Sequence, residues 1–419
     1  MKKNFKFLAV GCVALLAGAG LASCGGNGGG NKTITLVYSG AASDETFNRG
    51  LISKWLEAKN AESTDVTYNV KFVAHGADKV DSEVTDWSAA AAPDVYEVAC
   101  DKLQGLYQKG ALAELRGDYA TYVRTEMNSF GVGAVTFNNK LVGFPYTGDN
   151  TYYLQYDKSV LTEDDVSSWE KLLAKCETLG KKIGYDLQTG FWGAAAFFTF
   201  GADYSIEFDN KGTVKTIEAD FNTEKGAKAA KAISSIVKSS AWQNGMSAPT
   251  AENDLVGCIA GTWDISNYKA ALGDNYGCAV MPTITIDGQE KHMGAFLGGK
   301  LLGVNPIVSA SDTARATAAL DLAKYLTGEE AQLARFKQNG IAPCNKVAAA
   351  NEEVQASPNI KVLSAQGEFA HAQTVVPAKF WDAPVVVVNA IVKGELDVNN
   401  AEALQAALDT MNNTIKTIA

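Results

Sequence analysis

The chain has 419 residues, of which 47% are hydrophobic and 20% are charged, and its formal net charge is −10. This hydrophobic content excludes an intrinsically disordered chain and is enough for the cores of two or three domains. The acidic balance disfavours nucleic acid and anionic lipid as partners, because like charges repel.

The first residues have the features of an export signal. A basic head at residues 1–6 precedes an apolar run at residues 7–22, which is shorter than the roughly 20 residues of a spanning helix. The segment Leu21-Ala22-Ser23-Cys24 resembles a bacterial lipobox, in which the cysteine is acylated and becomes the N-terminus. We therefore predict a lipoprotein signal peptide at 1–23, lipidation of Cys24 and a glycine-rich tether at 24–31. An ordinary secretory signal is the alternative.

The sequence has seven cysteines: Cys12 lies in the predicted leader, Cys24 at the lipobox, and the other five are spread along the rest of the chain without a Cys-x-x-Cys motif. This spacing is not that of a disulfide scaffold, so it predicts mostly buried small side chains. A bridge between Cys258 and Cys278 is the alternative.

The next elements predict a βαβ unit. Residues 33–38 and 66–73 have the composition of strands, and Ser43 or Asp44 can cap a helix between them. Within that helix Phe47, Leu51 and Trp55 recur four residues apart, which predicts one buried face. Such a unit requires a parallel strand pair.

The middle of the chain alternates further strands and helices. Two strands, near 141–145 and 152–156, are joined by a polar link, and 144–152 is the best candidate for a crossing between lobes. Helices are predicted near 168–180, 190–200 and 223–239, and strands near 256–260, 276–281 and 300–305.

The last quarter is mainly helical. We expect Ser311 to cap a helix that runs to Leu326, and Thr327 with Glu330 has the spacing of a capping box. The final helix places an apolar stripe on one face: Leu404, Leu408, Met411, Ile415 and Ile418.

Motifs of catalysis and metal binding are missing from the sequence. The three histidines, His75, His292 and His371, have no metal-ligand spacing, and no Walker loop, nucleophile elbow or dinucleotide fingerprint occurs. We therefore predict no metal, no cofactor and no enzymatic activity.

Three of the seven tryptophans lie close to Gly, Asp or Pro, near the ends of predicted elements. Trp192, Trp263 and Trp381 have such neighbours. A flat ring beside carboxylates and amides suits a sugar, whose C–H face stacks on the ring while its hydroxyls bind the polar groups. Core packing is the alternative for any single tryptophan.

Several short segments together carry a family resemblance. They occur in a shared order along residues 32–419: 93–96, 101–103, 110–115, 139–145, 156–158, 276–282, 326–330 and 340–343. In them the chain resembles the extracellular solute-binding proteins of bacterial carbohydrate ABC importers, and within these the maltose/maltodextrin-binding proteins.

The resemblance implies an α/β protein with the two-lobed, type II periplasmic-binding-protein-like fold, which has a central ligand cleft and a hinge. The implied N-lobe is 32–148 plus 293–345, and the implied C-lobe is 149–292 plus 346–419. We expect a monomer.

The resemblance also implies ligand-binding residues. Asp101 and Lys102 match an acidic–basic pair of the family, and Asp149 or Asn150 matches an acidic cleft residue. Phe191 and Trp192 match an aromatic pair. Trp263 and Trp381 each match a stacking tryptophan. The chain departs from the family pattern at Val98, Thr189, Asp382 and Val385.

The implied function is that of a lipid-anchored receptor on the outer face of the bacterial membrane, or in the periplasm of a cell with two membranes. It captures a maltodextrin and delivers it to the permease of an ABC transporter. Its only membrane contact is the lipid, and it binds no nucleic acid. The alternatives are another neutral glycan, such as a galacto- or xylo-oligosaccharide, and a surface glycoside hydrolase, which needs two carboxylates across a cleft.

Overall fold

Two separate β-sheets organise the chain in the computed structural model, which describes residues 32–77, 80, 92–308 and 310–418. The predicted signal peptide, Cys24 and the tether lie outside these residues. Within the part described, no helix combines the length and the apolar character that a bilayer crossing needs.

The strands are short and are spread over the whole described chain. In order they are β1 (Lys32–Gly40), β2 (Val66–Ala74), β3 (Val95–Ala99), β4 (Thr136–Phe137), β5 (Lys140–Leu141), β6 (Phe144–Asn150), β7 (Tyr152–Asp157), β8 (Lys182–Gly184), β9 (Tyr204–Phe208), β10 (Val214–Ala219), β11 (Trp242–Gln243), β12 (Leu255–Gly261), β13 (Tyr276–Ala279), β14 (Thr283–Ile286), β15 (Gln289–His292), β16 (Ala295–Val304) and β17 (Ala370–Ala372).

The helices cover the two sheets. In chain order they are α1 (Glu45–Ala61), α2 (Leu103–Gln108), α3 (Gly117–Glu126), α4 (Ser129–Ala134), α5 (Trp169–Leu179), α6 (Gly190–Gly193), α7 (Ala195–Phe198), α8 (Glu224–Val237), α9 (Ile265–Leu272), α10 (Thr313–Leu326), α11 (Glu329–Asn339), α12 (Lys346–Ala349), α13 (Glu352–Ala356), α14 (Pro358–Gly367), α15 (Ala383–Val392) and α16 (Ala401–Ile415).

The first sheet has the strand order β17-β16-β3-β1-β2, and β6 also pairs with β16. β1 and β2 are parallel, from Lys32 opposite Val66 to Gly40 opposite Ala74, which confirms the predicted βαβ unit. The connecting helix α1 buries Leu51 and Trp55, as its periodicity predicts, whereas Phe47 is only partly buried. β1 and β3 are also parallel, so the chain segments that follow them meet at one edge of the sheet.

The second sheet has the order β11-β8-β12-β7-β13. Its core is separate from the first one and is rich in aromatic residues, among them Trp169, Tyr185 and Phe221. The hairpin formed by β9 and β10 projects from this lobe and is not paired with its sheet. Each lobe therefore has its own sheet and core, as expected for a chain of this length.

Three strand segments connect the lobes side by side. The chain leaves the first sheet at Asn150 and enters the second at Tyr152. β16 pairs with β3 near Val304 and with β17 near Ala295. The third segment follows β17 at Gln373. β16 therefore extends through both lobes. The predicted domain boundaries stay predictions.

Two predicted caps are wrong. Asp312, not Ser311, caps α10, because its carboxylate accepts from the backbone N–H of Arg315. Thr327 lies at the end of α10 and donates to Ala323 O, so Gly328 begins α11 without a capping box. Asp44 is the N-cap of α1, but its side chain makes no capping hydrogen bond.

Other local predictions also need correction. The strand near 276–281 ends at Ala279, and the helix near 190–200 is two short helices, α6 and α7. The stripe of α16 is buried through Ile415, but Ile418 lies beyond the helix and is 47% exposed. The Cys258–Cys278 bridge is absent, because all five described cysteines are free thiols, and four of them are buried as predicted.

Candidate ligand-binding cleft

The acidic–basic pair lies in the turn that follows the carboxyl end of β3. The turn is a single 3-10 segment, Cys100–Lys102, which continues into α2. The carboxylate of Asp101 is 5% exposed and lies 3.8 Å from the ammonium nitrogen of Lys102, which is 22% exposed. The end of a parallel strand is where α/β sheets bind ligands, so this position suits a binding site.

The side chain of Gln373 holds Asp101 in place. Its Nε2 donates to Asp101 Oδ1 at 3.2 Å, and its Oε1 accepts from the side-chain amide of Asn150. Its carbonyl oxygen also accepts from the thiol of Cys100. Gln373 thus connects a predicted ligand residue to two of the three segments that join the lobes.

Three rings of the second lobe form a row, which we call the aromatic row: Trp381, Phe191 and Trp263. The ring of Phe191 lies 6.0 Å from that of Trp381 and 6.1 Å from that of Trp263. Trp263 is 45% exposed, and the other two are half-buried. Residues from three separate parts of the sequence therefore present one continuous apolar surface.

Close backbone packing places these rings. A Cβ on Gly190 would lie 2.1 Å from the carbonyl oxygen of Trp381, so only glycine lets α6 approach that segment. The ring of Trp263 lies directly over the backbone of Gly261. Tyr152 donates its hydroxyl to Phe191 O at 3.1 Å, which fixes α6 to the sheet.

Trp192 belongs to the support of the row. It is 4% exposed, and its ring lies 4.4 Å from that of Tyr152 and 5.6 Å from that of Phe191. Its predicted contact with ligand stays a prediction, while its observed contacts are those of a core residue that supports Phe191.

Asp149 and Asn150 lie in the lobe connection. The carboxylate of Asp149 is buried and accepts from the backbone N–H of Ala342 at 3.2 Å, and burial raises its pKa to about 6. The amide of Asn150 is engaged by Gln373. Nearby, Glu97 raises the pKa of Lys300, whose ammonium lies 3.1 Å from the buried Glu97 carboxylate. A ligand role for Asp149 and Asn150 stays a prediction; in the structure their side chains bind Ala342 and Gln373.

A pocket of about 370 Å³ lies between the lobes. Asp101, Lys102 and Trp381 line it. So do residues that the sequence did not single out, among them Gln104, Gln108, Val214, Ile217 and Pro377. The two glutamines lie four residues apart on α2, a spacing that could have indicated them once Asp101 was suspected. The short loop 209–213, which contains Asp209, Asn210 and Gly212, could have indicated the β9–β10 hairpin, but nothing local indicates that the hairpin lines the pocket.

The chemistry of this cleft is that of a binding site for a neutral polar molecule. Trp381, at one end of the aromatic row, offers an apolar face to the pocket, and the opposite lobe offers a carboxylate, an ammonium and two amides. Among the described residues, no three of His, Cys, Asp and Glu are grouped so that they could hold a metal.

Comparison with known proteins gives a consistent result. A curated relative, the maltodextrin-binding protein MdxE of Bacillus subtilis strain 168, is 26% identical over 91% of this chain and 90% of its own length. A solved structure whose description reads "with acarbose" is 28% identical and has a TM-score of 0.77. The match covers 92% of this chain and 99% of that structure's chain.

A second solved structure shows the fold. The ligand-free maltodextrin-binding protein MalE1 of L. casei BL23 has a TM-score of 0.76 at 23% identity, and 92% of this chain covers 100% of it. These neighbours confirm the predicted two-lobed α/β fold. The profile of the bacterial extracellular solute-binding protein family matches residues 54–362. The chain therefore belongs to the bacterial extracellular solute-binding proteins.

Proposed function

We propose that this protein is a lipid-anchored receptor that captures maltodextrin-type oligosaccharides outside the cytoplasmic membrane and delivers them to an ABC permease. The observation that carries the proposal is the pocket shared by Trp381 and by Asp101 with Lys102, which come from opposite lobes. Its relatives support it, because one is a maltodextrin-binding protein and another is described with acarbose.

The binding energy comes from both lobes. A sugar ring stacked on Trp381 loses apolar contact with water, and its hydroxyls donate to Asp101 or accept from Lys102. Because these groups lie on different lobes, a bound sugar contacts all of them only when the lobes are together. Ligand therefore shifts the population toward the closed form without making or breaking a covalent bond.

The anchor and the delivery depend on the N-terminus. Acylation of Cys24 holds the protein at the membrane, and residues 24–31 give the lobes reach to a permease. No nucleic acid is bound, and the receptor acts as a monomer outside the cytoplasm.

Another neutral glycan, of the galacto- or xylo-type, is the second candidate. Val98, at a position where the family has a tryptophan, is completely buried, so no ring extends the binding surface there. Val385 likewise replaces an arginine of the family pattern. Both changes alter the contacts that distinguish one sugar from another.

Calorimetric titration of the mature protein tests the proposal. Maltotriose should bind and should also change tryptophan fluorescence, since indoles of the cleft lose contact with water. Galacto- and xylo-oligosaccharides of the same length are the comparison. If one of these sugars binds and maltotriose does not, that sugar is the assigned ligand. Release of reducing ends from starch fragments would contradict the proposal, because a receptor does not hydrolyse its ligand.

A further inference from the structure

A completely buried ring, that of Phe296, lies beneath the aromatic row. It is stacked on the ring of Phe191, with centroids 5.5 Å apart and planes at 18°, and it meets the ring of Trp381 edge-on at 5.1 Å. The rings of Phe191 and Trp381 are 6.0 Å from each other. Phe296 therefore lies closer to each of the two rings than they lie to one another.

Three further rings hold Phe296 in one orientation. Those of Phe198, His371 and Phe380 lie 5.4, 5.8 and 6.1 Å from it, each nearly perpendicular to it. Edge-to-face contacts favour a single ring orientation, and a close-packed core leaves a side chain few alternatives. The surroundings of Phe296 thus give the row above it a rigid support.

Phe296 lies on β16, the strand that extends through both lobes. The next residue, Leu297, accepts the backbone N–H of Gln373 on its carbonyl oxygen at 2.8 Å. At Gly298 an added Cβ would lie 2.3 Å from the side chain of Gln373. Gln373 in turn donates to the carboxylate of Asp101. Three successive residues of one strand therefore contact the aromatic row and the group that holds Asp101.

We infer that Phe296 is a positioning residue of the receptor: it sets the spacing and the angle of Phe191 and Trp381, and it ties both rings to the strand that confines Gln373. Phe296 acts through these rings and not on the ligand, because its side chain is completely buried. The inference rests on the proposed function for its binding readout.

Two substitutions at position 296 separate positioning from packing. Phe296→Leu keeps an apolar side chain but removes the ring, so the affinity for maltotriose, measured by calorimetry, should fall at least about tenfold. Phe296→Met fills more of the lost volume with a flexible chain, so it should recover most of the melting temperature. Its affinity should still lie at least about fivefold below that of wild type, since methionine fixes no ring angle.

Phe197→Leu is the matched control. Phe197 is also completely buried in the same core, and its ring lies 6.1 Å from that of Phe221. Among the residues that the structure describes, it has no ring contact with the aromatic row. We expect a loss of melting temperature like that of Phe296→Leu, with an affinity within about twofold of wild type.

A readout without ligand tests the same point. In protein labelled with 5-fluorotryptophan, the fluorine resonance of Trp381 is assigned by its loss in Trp381→Phe. Both substitutions of Phe296 should shift and broaden this resonance in the absence of sugar, because the indole loses its edge-on partner. The resonance of Trp242, whose indole donates to Tyr185 O, should stay unchanged. Phe197→Leu should shift neither resonance.

The outcomes separate the two proposals. If no glycan binds to wild-type protein, the proposed function is wrong, and the resonance of Trp381 alone decides the inference. If maltotriose binds and folded Phe296→Met keeps the wild-type affinity, only the inference is overturned. It is also overturned if Phe197→Leu costs as much affinity as Phe296→Leu, or if the Trp381 resonance responds to neither substitution of Phe296.

Discussion

Gln373 connects the carboxylate of Asp101 to the hinge, donating to it at 3.2 Å while accepting from Asn150. A Cβ on Gly298, in the neighbouring strand β16, would lie 2.3 Å from Gln373 Oε1, so the amide is closely confined. A ligand that hydrogen-bonds to Asp101 therefore acts, through Gln373, on two of the three segments between the lobes.

Gln373→Met should uncouple binding from closure, because methionine keeps the length of the side chain but removes its donor and acceptor. We expect about a tenfold loss of affinity for maltotriose, about 1.4 kcal/mol, measured by calorimetry. Small-angle scattering should show a smaller ligand-induced decrease in the radius of gyration.

Gln366→Met is the matched control, since the Gln366 amide is also buried but bonds to Met281 and Met293 away from the pocket. It should lower the melting temperature and leave affinity unchanged. Equal affinity losses in both variants would show that Gln373 acts through stability alone.

Trp381→Ala should weaken maltotriose binding by about tenfold or more, because the apolar face of the sugar loses its stacking partner. Trp381→Phe should recover most of the affinity. The control is Trp242→Ala in the same lobe, where the indole donates to Tyr185 O outside the cleft. Affinity that is unchanged by Trp381→Ala, measured on folded protein, would assign Trp381 to the core.

Asp149→Asn should change the pH dependence of stability. Burial raises the pKa of Asp149 from 3.8 in the unfolded chain to about 6 in the native state. The native state then binds more protons between these values, so this group makes the protein less stable as pH rises from about 4 to 6.

The asparagine can still accept from Ala342 and carries no charge. Relative to wild type it should therefore gain on the order of 2 kcal/mol between pH 4 and pH 7, measured by urea unfolding. Asp254→Asn, at a carboxylate that is 69% exposed, should show no such gain. A difference between wild type and Asp149→Asn that does not vary with pH would contradict the prediction.

Two glycines inside helices should respond oppositely to alanine. In α1, a Cβ at Gly50 meets nothing within 4 Å, so Gly50→Ala should stabilise by about 0.5–1 kcal/mol through helix propensity. In α8, a Cβ at Gly226 would lie 1.8 Å from Phe221 O, so Gly226→Ala should destabilise the protein. Chemical denaturation measures both, and equal effects would show that propensity alone decides.

Cys24→Ser should abolish lipid anchoring, because a hydroxyl does not replace the acylated thiol. We expect wild-type protein to partition into the detergent phase of a Triton extract and its N-terminal peptide to carry the mass of acyl chains. The variant should lose both properties. Wild-type protein that is cut elsewhere and released would favour the ordinary secretory signal.

Sequence patterns were sufficient to predict the helices and strands whose positions depend on local periodicity. The βαβ unit followed from alternating and four-residue periodicities, because burial of one face imposes those periods on strands and helices. The caps failed where neighbouring polar residues compete: Asp312 takes the role that Ser311 could have had, and only backbone geometry decides between them.

The sequence by itself determined two α/β lobes, the family and three of the residues that line the pocket, Asp101, Lys102 and Trp381, since these depend on periodicity and on motifs that survive divergence. Only the tertiary structure decided that Asp149 is buried, that Gln373 holds Asp101, and that Gly212 meets Gln108, 104 positions away in the chain. The reason is physical: contacts between lobes join distant segments whose local sequence carries no trace of the partner.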